Sequence, residues 1–268
     1  MRCSADRYFR RGAWILLLIT AFGPFLTGCA GGKAAAVPAG VFAQPEAALR
    51  ALAASGPIGT VTATARIEIT SHGERYPLKA AMMIRGPADL RLESIPLLGL
   101  PDFFLSIDGG ELRVFLPGKG AFYAGPATSA TISRFFPLAL PPAEIVSLLM
   151  GRPPGEEEAS PSLGGEHEDG LYRVDQYRNG RKVRSLWIAQ GGVLIRARAF
   201  TEKEEIVYTA DFEDYTQAGK GFMPQRLTIS GEAMSLTLRY TEIRMLDDAV
   251  SFALTIPEGV TPIPLMEN

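Results

Sequence analysis

Most of the chain between residues 61 and 245 consists of short segments in which apolar and polar residues alternate. Residues 61–69 and 76–84 are two such segments, and the turn residues His72-Gly73 separate them. Alternation with a period of two is typical of a β-strand with one buried face. Segments of this kind that follow one another across short turns predict an antiparallel meander.

The whole pattern predicts about eleven or twelve strands and two or three helices. One helix is expected at 46–54 behind Pro45, and another begins at Pro141-Pro142 and ends before Gly151. Residues 152–170 are rich in Pro, Gly and Glu, which predicts an exposed loop. The other expected strands are 89–93, 103–107, 112–116, 121–124, 171–177, 183–189, 193–200, 205–215, 226–229 and 234–245, and 252–256 is a candidate for one last strand.

Many strands with few helices indicate an α+β fold that has its helices on one face of a large antiparallel sheet. A twisted sheet of this size curls, so we expect an incompletely closed half-barrel with short helices covering a cavity. The inward-facing residues would either line that cavity or pack together as a solid core, and periodicity does not separate the two. They are Ile67, Ile69, Leu78, Met82, Ile84, Leu90, Leu92, Leu112, Val114, Ile145, Leu148, Leu149, Ile195, Tyr208, Phe212, Leu236 and Leu238.

The first 28 residues have the plan of a bacterial secretory signal peptide. Basic residues at 7–11 precede an apolar stretch at 13–22, which is shorter than the roughly 20 residues of a membrane-spanning helix. The following Leu26-Thr27-Gly28-Cys29 is a lipobox, which predicts cleavage before Cys29 and acylation of its thiol. Two or more acyl chains would anchor the protein stably to a membrane.

The residue after the anchor is Ala30, whereas Asp at that place is the usual signal for retention in the inner membrane. By resemblance to lipoprotein-sorting rules, we expect the chain to lie at the periplasmic face of the outer membrane. Residues 29–43 are rich in Gly, Ala and Pro and are expected to form a lipidated flexible tether. Residues 44–268 are expected to form a single domain, most simply a monomer.

Charge and residue content argue against several classes of function. The chain has 27 basic and 29 acidic residues; four arginines and Asp6 lie in the predicted signal peptide, which leaves 23 basic against 28 acidic and a net charge of −5. Nucleic acid is therefore not an expected partner. Both cysteines, Cys3 and Cys29, lie outside the predicted domain, which excludes disulfides and thiol chemistry within it.

No catalytic or metal-binding constellation is evident in the sequence. His72 lies in a predicted turn and His167 in an acidic stretch, and neither has the spacing of a metal site or a catalytic triad. The sequence contains no G-x-S-x-G motif and no complete phosphate-binding loop. The acidic runs 156–158 and 166–169 are typical of a solvated surface. We therefore expect neither enzymatic activity nor a cofactor.

The order of these pieces resembles the LolB family of outer-membrane lipoprotein receptors, in the LolA/LolB superfamily. Ile95-Pro96-Leu97-Leu98-Gly99 is similar to the protruding loop of that family. Residues 136–138 and 148–153 look like the helix after its sixth strand, and residues 223–229 look like one of its late strands. The extension 250–264 looks more like the carrier members of the superfamily.

This resemblance implies a helix-covered half-barrel whose apolar cavity receives lipoprotein acyl chains from the periplasmic carrier LolA and releases them into the outer membrane. Two alternatives stay open. The chain could carry another lipid, such as a phospholipid or glycolipid, or it could be a non-catalytic structural or assembly lipoprotein of the envelope.

The same resemblance assigns membrane insertion to the leucine-rich loop. Leu97, Leu98 and Leu100 stand between Pro96 and Pro101, and an exposed apolar patch of this kind usually marks an interaction site. The alternative is that the loop folds back and plugs the end of the sheet.

Overall fold

In the part of the chain that the structure describes, fourteen strands form one continuous sheet, which is accompanied by three short helices. The computed structural model describes residues 42–136, 139–153, 162–232, 234–246 and 250–266. The predicted signal peptide, Cys29 and the tether up to residue 41 lie outside the described residues, as do 154–161 of the predicted loop.

The helices are α1 (Pro45–Ser55), α2 (Ser129–Ile132) and α3 (Pro142–Leu149), and a 3-10 turn spans Pro117–Lys119. The strands are β1 (Thr60–Ser71), β2 (Glu74–Arg85), β3 (Asp89–Ser94), β4 (Phe104–Asp108), β5 (Glu111–Leu116), β6 (Ala121–Pro126), β7 (Ser162–Glu168), β8 (Leu171–Arg178), β9 (Arg181–Ile188), β10 (Leu194–Phe200), β11 (Ile206–Ala218), β12 (Gly221–Ser230), β13 (Met234–Leu246) and β14 (Pro262–Pro264).

The sheet joins two antiparallel meanders through its longest pair of strands. Its order is β14-β6-β5-β4-β3-β2-β1-β13-β12-β11-β10-β9-β8-β7. Strands β1 and β13 pair along their whole length, from Thr60 opposite Leu246 to Ser71 opposite Met234. The edge strands β7 and β14 do not pair with each other in the part of the chain that is described. The fold is therefore the open half-barrel with few short helices that the sequence predicts.

One face of the sheet, here called the inner face, packs against α3. Alternating residues of β1 and β2, such as Ala65, Ile67, Ala80 and Met82, are almost fully buried on this face. Their neighbours in sequence point to the opposite, outer face, because successive side chains of a strand alternate. The inner face and the helices share one hydrophobic core.

Both predicted helices are confirmed. Helix α1 starts at Pro45 and buries Ala48 and Leu52. Helix α3 starts at Pro142 and ends at Leu149, just before Gly151, whose φ of +64° suits glycine.

The predicted exposed loop at 152–170 is wrong over its second half, where strand β7 pairs with β8. A Cβ on Gly165 would clash with the hydroxyl of Tyr172, and one on Gly164 would lie 3.4 Å from the ring of Tyr177. Glycine at both places gives the aromatic rings of β8 room beside β7. Because glycine is rare in strands, the sequence pattern does not predict strand β7.

The predicted last strand at 252–256 is also wrong, because this segment crosses the outer face without joining the sheet. The carbonyl of Phe252 accepts a hydrogen bond from the Ser106 hydroxyl at 2.6 Å. Arg91 and Arg113 donate to the next two carbonyls. These carbonyls thus accept hydrogen bonds from side chains of β3–β5 instead of from the backbone of a neighbouring strand. The real last strand is β14, which pairs in parallel with β6 and makes the sheet mixed rather than purely antiparallel.

Candidate functional site

The contact between α3 and the inner face of the sheet is made by apolar side chains. Ile145, Val146, Leu148 and Leu149 of α3 are all buried there. Between this helix and the sheet lies a cavity of about 20 Å³. Its lining consists of Ile67, Met82, Leu90, Leu92, Phe136, Leu140, Ile145, Leu148, Leu149, Ile229, Leu236 and Leu238.

Many of the residues expected to line a cavity surround this space. The structure places the others in the adjoining core: Ile84, Leu112, Val114, Tyr208 and Phe212 are almost fully buried. Ile69, Leu78 and Ile195 are partly buried against the same core, with Ile195 at an irregularity in the pairing of β10 with β9. In this closed state the inner face packs nearly solidly, since about 20 Å³ holds roughly one water molecule.

Three lining residues were not predicted. Ile229 lies two residues from the buried Leu227 on β12, so alternation within 226–229 could have found it. Phe136 and Leu140 lie in the connection between α2 and α3, where no periodic pattern marks an inward side chain.

Polar contacts hold α3 to the sheet at both of its ends. Near its start, the Glu144 carboxylate accepts a hydrogen bond from the Tyr208 hydroxyl of β11 and pairs with Arg184 of β9 at 3.2 Å. Near its end, the Tyr240 hydroxyl of β13 donates to the carbonyl of Leu149 at 2.9 Å. Burial, and secondarily the charge of Glu144, raises the pKa of Tyr208 well above its usual value, so this hydroxyl stays a donor at neutral pH.

The leucine-rich loop projects from the sheet between β3 and β4. Leu97, Leu98 and Leu100 are exposed to 102%, 92% and 86% of their full area. The loop therefore does not fold back to plug the end of the sheet.

The base of this loop is closed by Ser94, which is only 2% exposed. Its hydroxyl donates to the Asp102 carboxylate at 2.6 Å and accepts from the backbone N–H groups of Asp102 and Phe103 at 3.0 and 3.1 Å. Ile95 donates its backbone N–H to the Lys79 carbonyl at 2.7 Å. These hydrogen bonds fix the base of the loop, and two prolines flank its leucines. The leucines therefore project into solvent from a defined position.

The two histidines lie on the surface. His72 occupies the turn between β1 and β2, next to the Ser71 hydroxyl at 3.0 Å. His167 lies on β7, where its Nε2 is 3.2 Å from the Phe42 carbonyl and its ring contacts Tyr172 edge-on. Among the described residues, no group of three His, Cys, Asp or Glu side chains is placed to hold a metal. The described helices are also too short or too polar to cross a bilayer.

Comparison with known proteins identifies the fold. No protein-family model matches the chain, and no curated protein matches it by sequence. Among solved structures, it is similar to a LolA superfamily protein from Nitrosomonas europaea, with a TM-score of 0.54 at 13% identity over 78% of this chain and 96% of that one.

Two further structures are comparably similar. An outer membrane lipoprotein-sorting protein domain from Vibrio parahaemolyticus gives a TM-score of 0.56 at 12% identity, covering 77% of this chain and 93% of that one. A DUF1329 family protein from Desulfovibrio piger gives 0.53 at 14%, with the same coverage. The chain has the open half-barrel fold of LolA superfamily and lipoprotein-sorting proteins.

Proposed function

We propose that this protein binds lipid acyl chains between α3 and the inner face of the sheet. The observation that carries the proposal is the cavity beneath α3, whose lining is entirely aliphatic, methionine or aromatic. Such a site offers no group for covalent chemistry, yet it suits a saturated chain, whose burial is driven by apolar area at about 25 cal/mol per Å².

Binding requires the site to enlarge, because the closed cavity of about 20 Å³ is far too small for an acyl chain. The hydrogen bonds of Glu144 and Tyr240 hold α3 down, and contacts of this kind contribute roughly 1–3 kcal/mol each. Burial of one methylene contributes about 0.8 kcal/mol. About four to eleven buried methylenes therefore offset the loss of these three hydrogen bonds, and the acyl chain covers the apolar side chains of α3 that opening exposes, so α3 acts as a lid.

We further propose that the protein is an outer-membrane lipoprotein, anchored through Cys29, that receives lipoproteins from LolA and inserts them into that membrane. The predicted lipobox and the resemblance to lipoprotein receptors support this role. The exposed leucines at 97, 98 and 100 support insertion at a bilayer. No external energy is needed if the membrane holds the chains more tightly than the cavity does.

The test uses a soluble chain that begins at Lys33. All fourteen strands, the three helices and their core lie within residues 42–266, so this chain retains the described fold. LolA loaded with a labelled lipoprotein is mixed with it and then with liposomes. Movement of the label to this chain and onward to liposomes supports the receptor role.

Failure of the folded chain to accept the label would contradict the receptor role. Mass spectrometry of lipids that co-purify with the chain then separates the two alternatives. A bound phospholipid or glycolipid would favour a carrier of another lipid, which the carrier-like extension at 250–264 also favours. Absence of any lipid would favour a structural or assembly protein of the envelope.

A further inference from the structure

Four basic residues stand side by side on the outer face of the sheet. Lys79 of β2 lies opposite Arg66 of β1, Arg66 lies opposite Arg239 of β13, and Arg239 lies opposite Arg226 of β12. Directly opposed side chains on neighbouring strands have their Cβ atoms about 5 Å apart. These residues, here called the basic row, therefore form one line of positive charge across four strands.

Three members of the basic row lack an acidic partner among the residues that the structure describes. Arg226 pairs with Glu213 at 3.3 Å, whereas Lys79, Arg66 and Arg239 are exposed and make no ion pair within the described ranges. Elsewhere on the sheet, cations are commonly neutralised by a neighbour, as in the pair Arg196–Asp211 at 2.6 Å.

Two acidic side chains, Glu68 and Asp102, lie in the same depression as the row. Glu68 pairs with Arg75 at 2.7 Å, and Asp102 accepts a hydrogen bond from the uncharged Ser94 hydroxyl, so one free negative charge faces three unpaired cations and the depression stays positive. Like charges directly opposite one another destabilise a sheet. An unneutralised row of this kind therefore costs stability, and an anionic ligand would offset that cost.

The basic row adjoins the leucine-rich loop. The Lys79 carbonyl accepts the backbone hydrogen bond of Ile95 at the root of the loop. The four cations, together with Ile95, Pro96 and Leu97, line one shallow depression of about 840 Å³ on the outer face. Positive charge and exposed apolar side chains thus meet at one place.

A smaller depression of about 270 Å³ adjoins it on the outer face, but its charged lining residues Arg91, Glu93, Glu242 and Arg244 balance one another in sign. Over β3–β5 the outer face is covered by the segment that carries Phe252 and Leu254, both of which are buried. The basic row lies beyond this cover, over β2, β1, β13 and β12.

We propose that the basic row binds the phosphate groups of anionic phospholipids at a bilayer surface while Leu97, Leu98 and Leu100 enter its hydrocarbon edge. Phosphates lie just outside the hydrocarbon, which matches cations placed at the root of an apolar loop. The row would set the depth and orientation of the loop. This inference rests on the proposed role of the loop in membrane insertion.

The experiment measures binding of the soluble chain to two kinds of vesicle, phosphatidylcholine alone and phosphatidylcholine mixed with phosphatidylglycerol. The variant R66A/R239A removes two unpaired cations. Each cation near an anionic surface strengthens binding about fivefold, so we expect this variant to lose roughly 25-fold in affinity for the mixed vesicles. Its affinity for neutral vesicles should not change, and added salt should reduce the difference.

The matched control is R181A/R244A, which removes two exposed arginines that do not line the larger depression. It should bind mixed vesicles nearly as the unchanged chain does. Equal losses in both double variants would overturn the proposal in favour of general charge attraction. Unchanged binding by R66A/R239A would overturn it as well and would direct attention to an acidic protein partner.

Two further readouts separate this inference from the proposed function. Binding of a fluorescent fatty acid reports the cavity and should be the same in R66A/R239A and the unchanged chain. Loss of vesicle binding in Leu98→Glu on both kinds of vesicle reports insertion of the loop. The two proposals can fail separately. If fatty-acid binding and loop insertion are observed but R66A/R239A does not weaken vesicle binding, only the proposed role of the basic row is refuted.

Discussion

The hydroxyl of Ser94 donates a hydrogen bond to the carboxylate of Asp102 at 2.6 Å and closes the loop that carries Leu97, Leu98 and Leu100. The same hydroxyl accepts two backbone N–H groups, so one buried side chain satisfies three partners. A loop fixed in this way loses little conformational entropy when it enters a membrane.

Replacement of Ser94 by Ala should loosen this base. The loss of a buried hydroxyl with three partners is expected to lower the free energy of unfolding by about 1–3 kcal/mol and to weaken vesicle binding. Urea unfolding and vesicle flotation measure the two effects. Ser251→Ala, at an exposed position, is the control; vesicle binding unchanged in Ser94→Ala would contradict a fixed loop.

Replacement of Leu98 by Glu should abolish insertion without harming the fold. The side chain is 92% exposed, so its loss removes no core contact, whereas a carboxylate is costly in hydrocarbon. Vesicle binding and thermal unfolding are measured together. Ile58→Glu, at another exposed apolar residue, should bind vesicles normally; loss of folded protein in Leu98→Glu would show that the loop is structural.

Removal of the Tyr240 hydroxyl should ease the opening of α3. Tyr240→Phe loses the hydrogen bond to the Leu149 carbonyl, which contributes about 1 kcal/mol, and should take up a fluorescent fatty acid faster. Stopped-flow fluorescence measures the uptake. Tyr76→Phe, at a half-exposed tyrosine, is the control, and identical uptake rates in both variants would contradict a lid at α3.

The buried tyrosines should make the protein unstable in alkali. Burial raises the pKa of Tyr208, Tyr215 and Tyr240 above the ordinary value of about 10. Their contribution is complete below pH 10 and is lost as pH rises further, because the unfolded chain then releases protons that the folded chain retains. Urea unfolding at rising pH should show this loss. Ionisation of all three phenols near pH 10 in the folded protein would contradict it.

A charge reversal within the basic row should stabilise the sheet. Arg66→Glu places a carboxylate opposite both Lys79 and Arg239, which should raise the free energy of unfolding by about 0.2–1 kcal/mol while weakening binding to anionic vesicles. Thermal unfolding and vesicle binding measure the pair of effects. A variant that is less stable than the original would mean that Arg66 has a structural role.

The strands were predictable from the sequence where one face is buried and the other is exposed to solvent. Residues 61–69 and 76–84 alternate clearly, and β1 and β2 include both ranges. Strand β7 was not predicted because Gly164 and Gly165 supply no apolar side chains to the pattern. The segment at 252–256 was wrongly predicted as a strand because Phe252 and Leu254, two residues apart, are both buried on the outer face. This gives the same alternation as a strand with one buried face.

The candidate sites were predictable to different extents. The exposed leucines follow from a short apolar stretch between prolines. The closed state of the cavity does not follow from periodicity, because Met82 or Leu148 can equally line a space or fill it. The basic row was not foreseen, since Arg66, Lys79, Arg226 and Arg239 are far apart in sequence and meet only through the register of four strands.

We expect an acyl chain to enter between α3 and the inner face of the sheet. The most direct measurement is photo-crosslinking of the soluble chain with a diazirine-bearing fatty acid, followed by mass spectrometry of the labelled peptides. We expect label on residues that line the cavity, such as Met82, Leu148 and Leu238, and competition by unlabelled fatty acid. Label confined to the outer face or to the leucine-rich loop, or label that no competitor displaces, would contradict this expectation.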